Sequence, residues 1–392
     1  MDEICENAGT EPQNRPESEL PEQAVPVVLD ASILTDPRLD DAQPDEPEPP
    51  ANFEPAPCPP GCIYVLDPKL FHARMQTRGD KLKWSRNSDI GQRMRELLSA
   101  HAHLALPYPL ASYPSDMADR WQDLRDRFPN FNQVLDLLES RYALASLRPD
   151  TPVNFPPILL LGEPGVGKSA FSKAVCVAVD IEYGEIPMAG ITETFPISGL
   201  DLGWSTGGPG RVMEIVSAAG HANPIILLDE IDKCGMGNSG GSPYAPLHIL
   251  LERHSAANFQ DVALRLPADL SWVNWVATAN DPLAIPVSLL SRFRQIEVPS
   301  PTREQMFKVV QSIYSSRRET VSNGDLFPPD LDPDVAERLA LLTPRQVGLV
   351  LEDAMGNAAR KQQAGNVPLI ITPADVSMPY SRGKPGIGFC NT

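Results

Sequence analysis

Residues 162 to 169 place a lysine and a hydroxyl side chain directly after a glycine-rich stretch. The eight residues are Gly162, Glu163, Pro164, Gly165, Val166, Gly167, Lys168 and Ser169. They fit the pattern G-x-x-x-x-G-K-[ST], whose backbone N–H groups can close around phosphate oxygens. In such a loop Lys168 would reach the β- and γ-phosphates, and the hydroxyl of Ser169 would hold Mg²⁺. The spacing therefore predicts a binding site for a nucleoside triphosphate.

The segments on either side of this loop are the ones that such a loop needs. The apolar run 157–161 is typical of a buried strand, and residues 170–175 are typical of the first turns of a helix. A helix that begins at the loop adds the positive end of its dipole to the phosphate site. Strand, loop and helix therefore support the same prediction.

Two carboxylates follow a second apolar run. Residues 225–228 predict a buried strand, and Asp229 and Glu230 come directly after it. Hydrolysis of a γ-phosphate needs one carboxylate near Mg²⁺ and another that orients and activates water. Asp229 fits the first task and Glu230 the second, although acidic residues also end many ordinary strands.

Three further polar residues stand at the ends of predicted elements. Asn280 follows a predicted strand and could hydrogen-bond the attacking water or the γ-phosphate, or simply belong to a strand-to-loop turn. Arg292 ends an apolar stretch and could pair with a nearby carboxylate, or act as an arginine finger on the nucleotide of the next subunit. Arg345 begins a predicted helix, where the dipole disfavours a cation unless an anion such as phosphate lies close by.

The middle of the chain alternates predicted strands and helices, as a parallel sheet requires. Strands are predicted at 158–161, 182–186, 224–229, 272–278 and 294–298. Helices are predicted at 92–98, 210–219, 245–254, 302–317, 333–341 and 344–361. The predicted fold class is α/β, with a three-layer αβα domain around a parallel sheet and a small helical domain after it.

Charge and proline are concentrated near the N-terminus. The first 60 residues hold 15 acidic residues, 2 basic residues and 13 of the 42 prolines. This composition opposes a packed core and predicts a disordered tail, which could also serve as an acidic docking arm for a partner protein. The net charge of −18 argues against a nucleic-acid-binding role, because such a role needs extensive basic patches. The best basic segments of this sequence, Lys81–Lys83 and Arg317–Arg318, are short.

The remaining composition indicates a cytoplasmic protein. No stretch approaches the length of an apolar membrane span, and Met1-Asp2-Glu3 lacks the layout of a signal peptide. The 6 cysteines are scattered, which fits reduced thiols. Cys58 and Cys62 would need two more ligands to bind zinc, and His72 is the one near candidate.

Taken in chain order, these motifs resemble those of AAA+ ATPases, with Walker A at 162–169 and Walker B at 224–232. The stretches 251–280 and 285–292 further resemble the ATPase module of the Lon protease family. The resemblance covers residues 129–380 and implies ATP and Mg²⁺ as cofactors. It also implies Asn280 as sensor 1, Arg292 as the arginine finger with Arg294 as the fallback, and Arg345 as sensor 2.

The same resemblance assigns two aromatic residues. Phe131 falls near the family's adenine pocket, where its ring could stack on the base. Trp204 takes the place of an aromatic grip in a pore loop, although Ser205 stands where the family has an aliphatic residue and Trp204 could instead be a core residue. The glycine-rich stretch 235–242 could be a second pore loop or a flexible connector.

The resemblance also implies an organisation and a function. The predicted parts are a disordered acidic tail (1–60), a mixed helical region (61–128), a P-loop ATPase domain (129–300), a helical lid (301–380) and a C-terminal tail (381–392). Too few residues follow the lid for the family's peptidase domain, so an ATPase motor without intrinsic peptidase activity is expected. We expect a homo-oligomeric ring, a hexamer by resemblance, that remodels or unfolds a threaded protein client. The alternatives are a nucleotide-gated scaffold that recruits a partner through the acidic tail, and an accessory ATPase linked to nucleic acid.

Overall fold

The computed structural model describes residues 53–76, 89–148, 150–235, 242–361 and 368–379. The predicted tails lie outside these ranges, except for residues 53–60. Most of the glycine-rich stretch 235–242 and the basic segment Lys81–Lys83 also lie outside them.

Within those ranges, helices and strands alternate through the middle of the chain. The strands are β1 (Cys62–Ile63), β2 (Tyr108–Pro109), β3 (Ile158–Leu161), β4 (Tyr183–Pro187), β5 (Ile225–Asp229), β6 (Phe259–Gln260), β7 (Pro267–Ala268), β8 (Asn274–Ala279) and β9 (Arg294–Glu297). The helices are α1 (Pro68–Gln76), α2 (Asp89–Ala100), α3 (Met117–Arg127), α4 (Asn132–Ala145), α5 (Lys168–Ala178), α6 (Phe195–Ser198), α7 (Arg211–Ala218), α8 (Ala245–Leu250), α9 (Arg253–Ala256), α10 (Val287–Leu290), α11 (Arg303–Thr320), α12 (Pro333–Leu339) and α13 (Pro344–Lys361).

The central sheet is parallel, with the strand order β4-β5-β8-β3-β9. Strand β8 is buried along its whole length, and β5 is buried at its four apolar positions, because helices cover both faces of the sheet. The predicted parallel α/β sheet is confirmed. Since β3, β5 and β8 run side by side in the same direction, the residues that follow them meet at one edge of the sheet.

The segment before the sheet packs into the same hydrophobic clusters as the sheet. Leu66 and Leu104 are buried in one cluster together with Leu266, and a bridge joins Leu66 to Ala268. On the other side, Trp121 of α3 is buried in a second cluster together with residues of α5. This segment therefore supports the α/β core directly.

Helices α11, α12 and α13 bury a hydrophobic cluster of their own, which includes Val310, Leu339 and Leu351. Helix α11 begins with a capping box between Thr302 and Gln305, which satisfies the first free backbone N–H groups. The amide of Gln305 also donates a hydrogen bond to the carbonyl of Pro129 at 2.9 Å. The helical part is thus tied to the α/β part close to the phosphate-loop side.

One predicted helix is divided in two. The helix expected at 245–254 is α8 followed by α9, because Glu252 between them has extended backbone angles, φ −110° and ψ 110°.

Within the described ranges, no helix is long and apolar enough to cross a membrane. Nor do those ranges contain a group of three or more metal-ligating side chains, and the ring of His72 stacks on that of Phe53.

Candidate nucleotide site

The glycine-rich loop turns sharply between β3 and α5. Gly165 and Gly167 have positive φ angles of 85° and 105°, which glycine adopts without steric cost. A Cβ atom on Gly162 would lie 2.4 Å from the carbonyl oxygen of Val298, so this position is also restricted to glycine. The loop is therefore shaped by its glycines to present backbone N–H groups at the N-terminus of α5.

Lys168 joins this loop to the edge of the sheet. Its ammonium group donates hydrogen bonds to the carbonyls of Gly162 at 2.7 Å and Glu163 at 3.1 Å, and to Oδ1 of Asn280 at 2.9 Å. Burial lowers the pKa of Lys168, and nearby carboxylates, Asp232 foremost, oppose this shift. Lys168 and Asn280 are 112 positions apart in sequence, and the fold brings them into contact.

One carboxylate oxygen of Asp229 accepts hydrogen bonds from two hydroxyl groups. Its Oδ1 accepts hydrogen bonds from Ser169 at 2.8 Å and from Thr278 at 2.7 Å. The backbone N–H of Glu230 in turn donates to the Thr278 hydroxyl at 2.9 Å. These contacts follow from the sheet order, since β5 and β8 are neighbours. Thr278 is a site residue that the sequence pattern did not reveal, although a threonine in a fully buried strand is the signal that could have indicated it.

Glu230 has an unusual backbone for its residue type. Its φ is 55° and its ψ is 50°, in the left-handed region, which costs a non-glycine residue about 1–2 kcal/mol. The side chain is exposed at the edge of the sheet. Because the Thr278 hydroxyl accepts the backbone N–H of Glu230, the strained turn is held in place at its first atom.

Asp232 supports the neighbouring turn. It is 6% exposed, and its Oδ2 accepts the backbone N–H groups of Asn280 at 3.2 Å and Asp281 at 3.1 Å. These bonds fix the chain as it leaves β8 and so position the side chain that contacts Lys168. Asp232 belongs to the acidic stretch 224–232, but its position in the sequence indicates no role for it.

Arg345 lies beside the phosphate loop. It is exposed at the start of α13, and a Cβ atom on Gly165 would lie 3.4 Å from the Cβ of Arg345. The fold thus brings the predicted anion-facing arginine to the predicted anion-binding loop. A phosphate bound in this loop would offset the unfavourable interaction between the Arg345 cation and the positive end of the helix dipole.

Arg292 is held elsewhere in its own chain. Its guanidinium group donates to the carbonyls of His248 at 3.2 Å and Ser288 at 2.6 Å, and it pairs with Glu252 at 3.5 Å. None of these partners belongs to the phosphate loop. The fallback residue Arg294 is exposed on β9, the edge strand.

The two predicted aromatic residues differ in burial. Phe131 is 1% exposed, and its ring stacks on that of Phe171 with the centroids 4.2 Å apart. This burial leaves no exposed ring face for an adenine, so the structure argues against the base-stacking role predicted for Phe131. Trp204, by contrast, is 58% exposed, on a loop closed by a bridge between Leu200 and Gly208, so it is not the core residue considered as its alternative.

The residues present suit the cofactors that the resemblance implies. A hydroxyl and a carboxylate, those of Ser169 and Asp229, are the oxygen ligands that Mg²⁺ prefers. Lys168 and the N–H groups of the loop suit the phosphates. When bound, Mg²⁺ would neutralise the negative charge on the phosphate oxygens during transfer of the phosphoryl group.

The family comparison agrees with this geometry. Residues 158–300 match the model of the ATPase family associated with various cellular activities, AAA. This region therefore resembles an AAA domain. The match begins at β3 and ends just after β9, so the whole AAA sheet of this chain lies inside it, including the loop, Asp229 and Asn280.

Several Lon proteases are similar to part of this chain. The chain is 31% identical to Lon protease 2 of Thermus thermophilus over 243 residues, which are 61% of this chain and 30% of that protein. It is 37% identical to Lon protease 2 of Sorangium cellulosum over 161 residues, 41% of this chain and 20% of that protein. For the peroxisomal Lon protease homolog 2 of Arabidopsis thaliana the identity is 32% over 209 residues, 51% of this chain and 23% of that protein. The chain thus spans less than a third of the length of these relatives.

A solved structure shares the fold. The complex of Saccharomyces cerevisiae Hsp104 with casein matches with a TM-score of 0.52 and 14% sequence identity, over 64% of this chain and 49% of the Hsp104 chain. At this identity the likeness concerns the AAA+ fold alone.

Proposed function

We propose that this chain is an ATP-hydrolysing AAA+ motor that remodels or unfolds protein clients as a homo-oligomeric ring, a hexamer by resemblance. The convergence of Lys168, Ser169, Asp229 and Asn280 at the end of β3, β5 and β8 carries the proposal. In this proposal Lys168 binds the phosphates, and Ser169 and Asp229 hold Mg²⁺. Glu230 activates the attacking water, and Asn280 orients it.

Arg292 and Arg345 complete the site in two different ways. Arg345 lies beside Gly165 and acts on the nucleotide bound to its own chain. Arg292 contacts the carbonyls of His248 and Ser288, neither of which belongs to its own phosphate loop, and this supports a role on the nucleotide of the next subunit. An arginine that acts between subunits makes hydrolysis depend on assembly.

Trp204 supports the choice of a protein client. An aromatic side chain exposed on a glycine-rich loop offers a large apolar contact that does not depend on the sequence of the client. Hsp104, which shares the fold, was solved in complex with the protein casein. We therefore propose that the Trp204 loop grips the polypeptide.

The experiment that tests the motor is the ATPase rate per subunit over a range of protein concentrations, with particle size measured in ATP. Glu230→Gln should retain ATP binding and lose hydrolysis by about 10²-fold or more, because the general base is removed. Glu319→Gln is the matched control, since Glu319 is exposed on α11, far along the chain from the acidic motif.

The expected result is a rate that rises with concentration together with a ring-sized particle. Full turnover by a monomer would remove the ring from the proposal. Wild-type hydrolysis in Glu230→Gln would remove the assigned water-activating residue. Chelation of Mg²⁺ should abolish turnover in every variant, as expected for a metal-assisted phosphoryl transfer.

A further inference from the structure

The loop that carries Trp204 is closed and locally ordered. Leu200 and Gly208 exchange backbone hydrogen bonds of 2.8 and 2.9 Å across its base. Inside it, Trp204 N–H donates to the carbonyl of Asp201 at 3.0 Å, and Gly207 N–H donates to the carbonyl of Trp204 at 3.0 Å. These bonds use N–H groups of the loop and leave several of its carbonyls for another donor.

A single arginine from α2, a helix distant in sequence, donates to four carbonyls of the loop, including that of Trp204, which also accepts the N–H of Gly207. Nη1 of Arg93 donates to Leu202 and Trp204, each at 2.9 Å. Nη2 donates to Gly207 at 2.9 Å and to Ser205 at 3.3 Å. A guanidinium group suits this task because its donors point outward in a rigid plane, so one side chain can fix several acceptors at once.

Arg93 is itself held firmly by the helix that carries it. Met94 and Leu98 of α2 are buried in the same hydrophobic cluster as Leu202, at the foot of the loop, and Val212 of α7. Burial of neighbouring positions fixes α2 against the core. The backbone position of Arg93 is therefore set by the core and not by the loop that its guanidinium group contacts.

The base of the loop has separate anchors. The carboxylate of Asp261 accepts the N–H of Gly210 at 2.7 Å, and Asp201 forms an ion pair with Arg265. These contacts lie where the loop leaves the core. Loss of Arg93 would therefore free the tip around Trp204 while the base stays attached.

We propose that Arg93 is a positioning residue for the Trp204 loop, which fixes the loop backbone so that the indole is presented to a polypeptide in one orientation. The inference rests on the proposed function, because it assigns to the segment before the AAA domain the task of stiffening the grip. A loop that is already ordered loses less conformational entropy when it binds, and it resists the pull of a bound chain.

The test compares Arg93→Gln and Arg93→Lys with Gln92→Ala. Gln92 is the matched control, because it is exposed on the same helix and, among the residues that the structure describes, its side chain bonds Glu96 of that helix and not the loop. All variants carry Glu230→Gln, so that ATP stays bound. Amide hydrogen exchange is followed in a peptide covering residues 200–208 and in a reference peptide from α5, and binding of fluorescein-labelled casein is followed by anisotropy.

In Arg93→Gln, exchange should accelerate in the loop peptide and not in the α5 peptide. If the ordered loop then makes up about a tenth of the population, the apparent Kd for casein rises about tenfold. Arg93→Lys should recover part of both effects, because an ammonium group donates to fewer carbonyls. Unchanged loop exchange in Arg93→Gln would overturn the inference.

Trp204→Ala in the same background separates the two proposals. If Trp204→Ala weakens casein binding while Arg93→Gln does not, the grip stands and the positioning role of Arg93 is wrong. If Trp204→Ala leaves casein binding unchanged, the proposed grip fails, whereas faster loop exchange in Arg93→Gln would still establish that Arg93 orders the loop. Faster exchange in the α5 peptide as well would show general unfolding and contradict a local role.

Discussion

At the scale of single residues, the hydroxyl group of Thr278 acts both as a hydrogen-bond donor and as an acceptor. It donates its proton to Asp229 and accepts the backbone N–H of Glu230, so one oxygen links the proposed metal-holding residue to the proposed water-activating residue. The left-handed backbone of Glu230 depends on such support, because the turn is strained. Relative placement of the two carboxylates is thus controlled from the neighbouring strand.

Thr278→Val should therefore lower kcat by about 10- to 100-fold, the range typical of residues that orient metal ligands. Valine keeps the shape of the side chain but leaves the N–H of Glu230 and one oxygen of Asp229 without this partner. Thr278→Ser is the control, since it retains the hydroxyl. Steady-state ATPase kinetics check the prediction, and equal rates in the valine and serine variants would contradict it.

At the scale of elements, the Trp204 loop depends on a close approach of backbone to backbone. A Cβ atom on Gly207 would lie 2.0 Å from the carbonyl oxygen of Asp201, whereas one on Gly208 would meet nothing within 4 Å. The loop can fold back on itself only because residue 207 has no side chain. The fold therefore requires glycine at position 207 but leaves room for a side chain at position 208, a difference that the sequence alone does not show.

Gly207→Ala should destabilise the protein by about 1–3 kcal/mol, the usual cost of forcing an extra methyl group into a packed site. It should also speed amide exchange at residues 200–208, because the bridge between Leu200 and Gly208 must shift. Urea unfolding and hydrogen exchange measure the two effects, with Gly208→Ala as the matched control. A Gly208→Ala variant as disturbed as Gly207→Ala would refute the close-approach argument.

At the scale of the whole molecule, the proposed ring would complete the site between subunits. Arg345 lies beside the phosphate loop of its own chain, whereas the partners of Arg292 do not belong to that loop. The contact of Arg292 with the exposed Glu252 is of the kind that contributes little to stability, so it can be exchanged for a nucleotide at low cost. Assembly would then act as the switch that permits hydrolysis.

A mixing experiment tests this arrangement. Arg292→Ala alone should lose about 10³-fold in kcat, because the arginine finger is absent, and Glu230→Gln alone should also be inactive. In a one-to-one mixture, about a quarter of the interfaces join an intact Glu230 to an intact Arg292, so activity should reappear. ATPase assays of the mixture against each variant measure it, and no recovery in mixed rings of normal size would contradict action between subunits.

The sequence by itself determined the features that depend on local chemistry. The loop at 162–169 is recognisable because its glycines are required by the backbone conformation and its Lys168 and Ser169 by the ligand. The strands were predictable from short apolar runs, and β3 lies at the predicted residues 158–161. The helix predicted at 245–254 was wrong in its continuity, because the extended backbone of Glu252 has no local sequence signal.

Only the tertiary structure decided which residues act together. Thr278 reaches Asp229 because two strands are neighbours, and Arg93 reaches Trp204 across 111 positions of sequence. The tertiary structure also buries Phe131 in the core, where the ring of Phe171 stacks on the ring that was predicted to stack on adenine. A residue's type and its immediate neighbours fix its backbone preference, whereas its partners and its burial are fixed by segments that the chain brings together only when it folds.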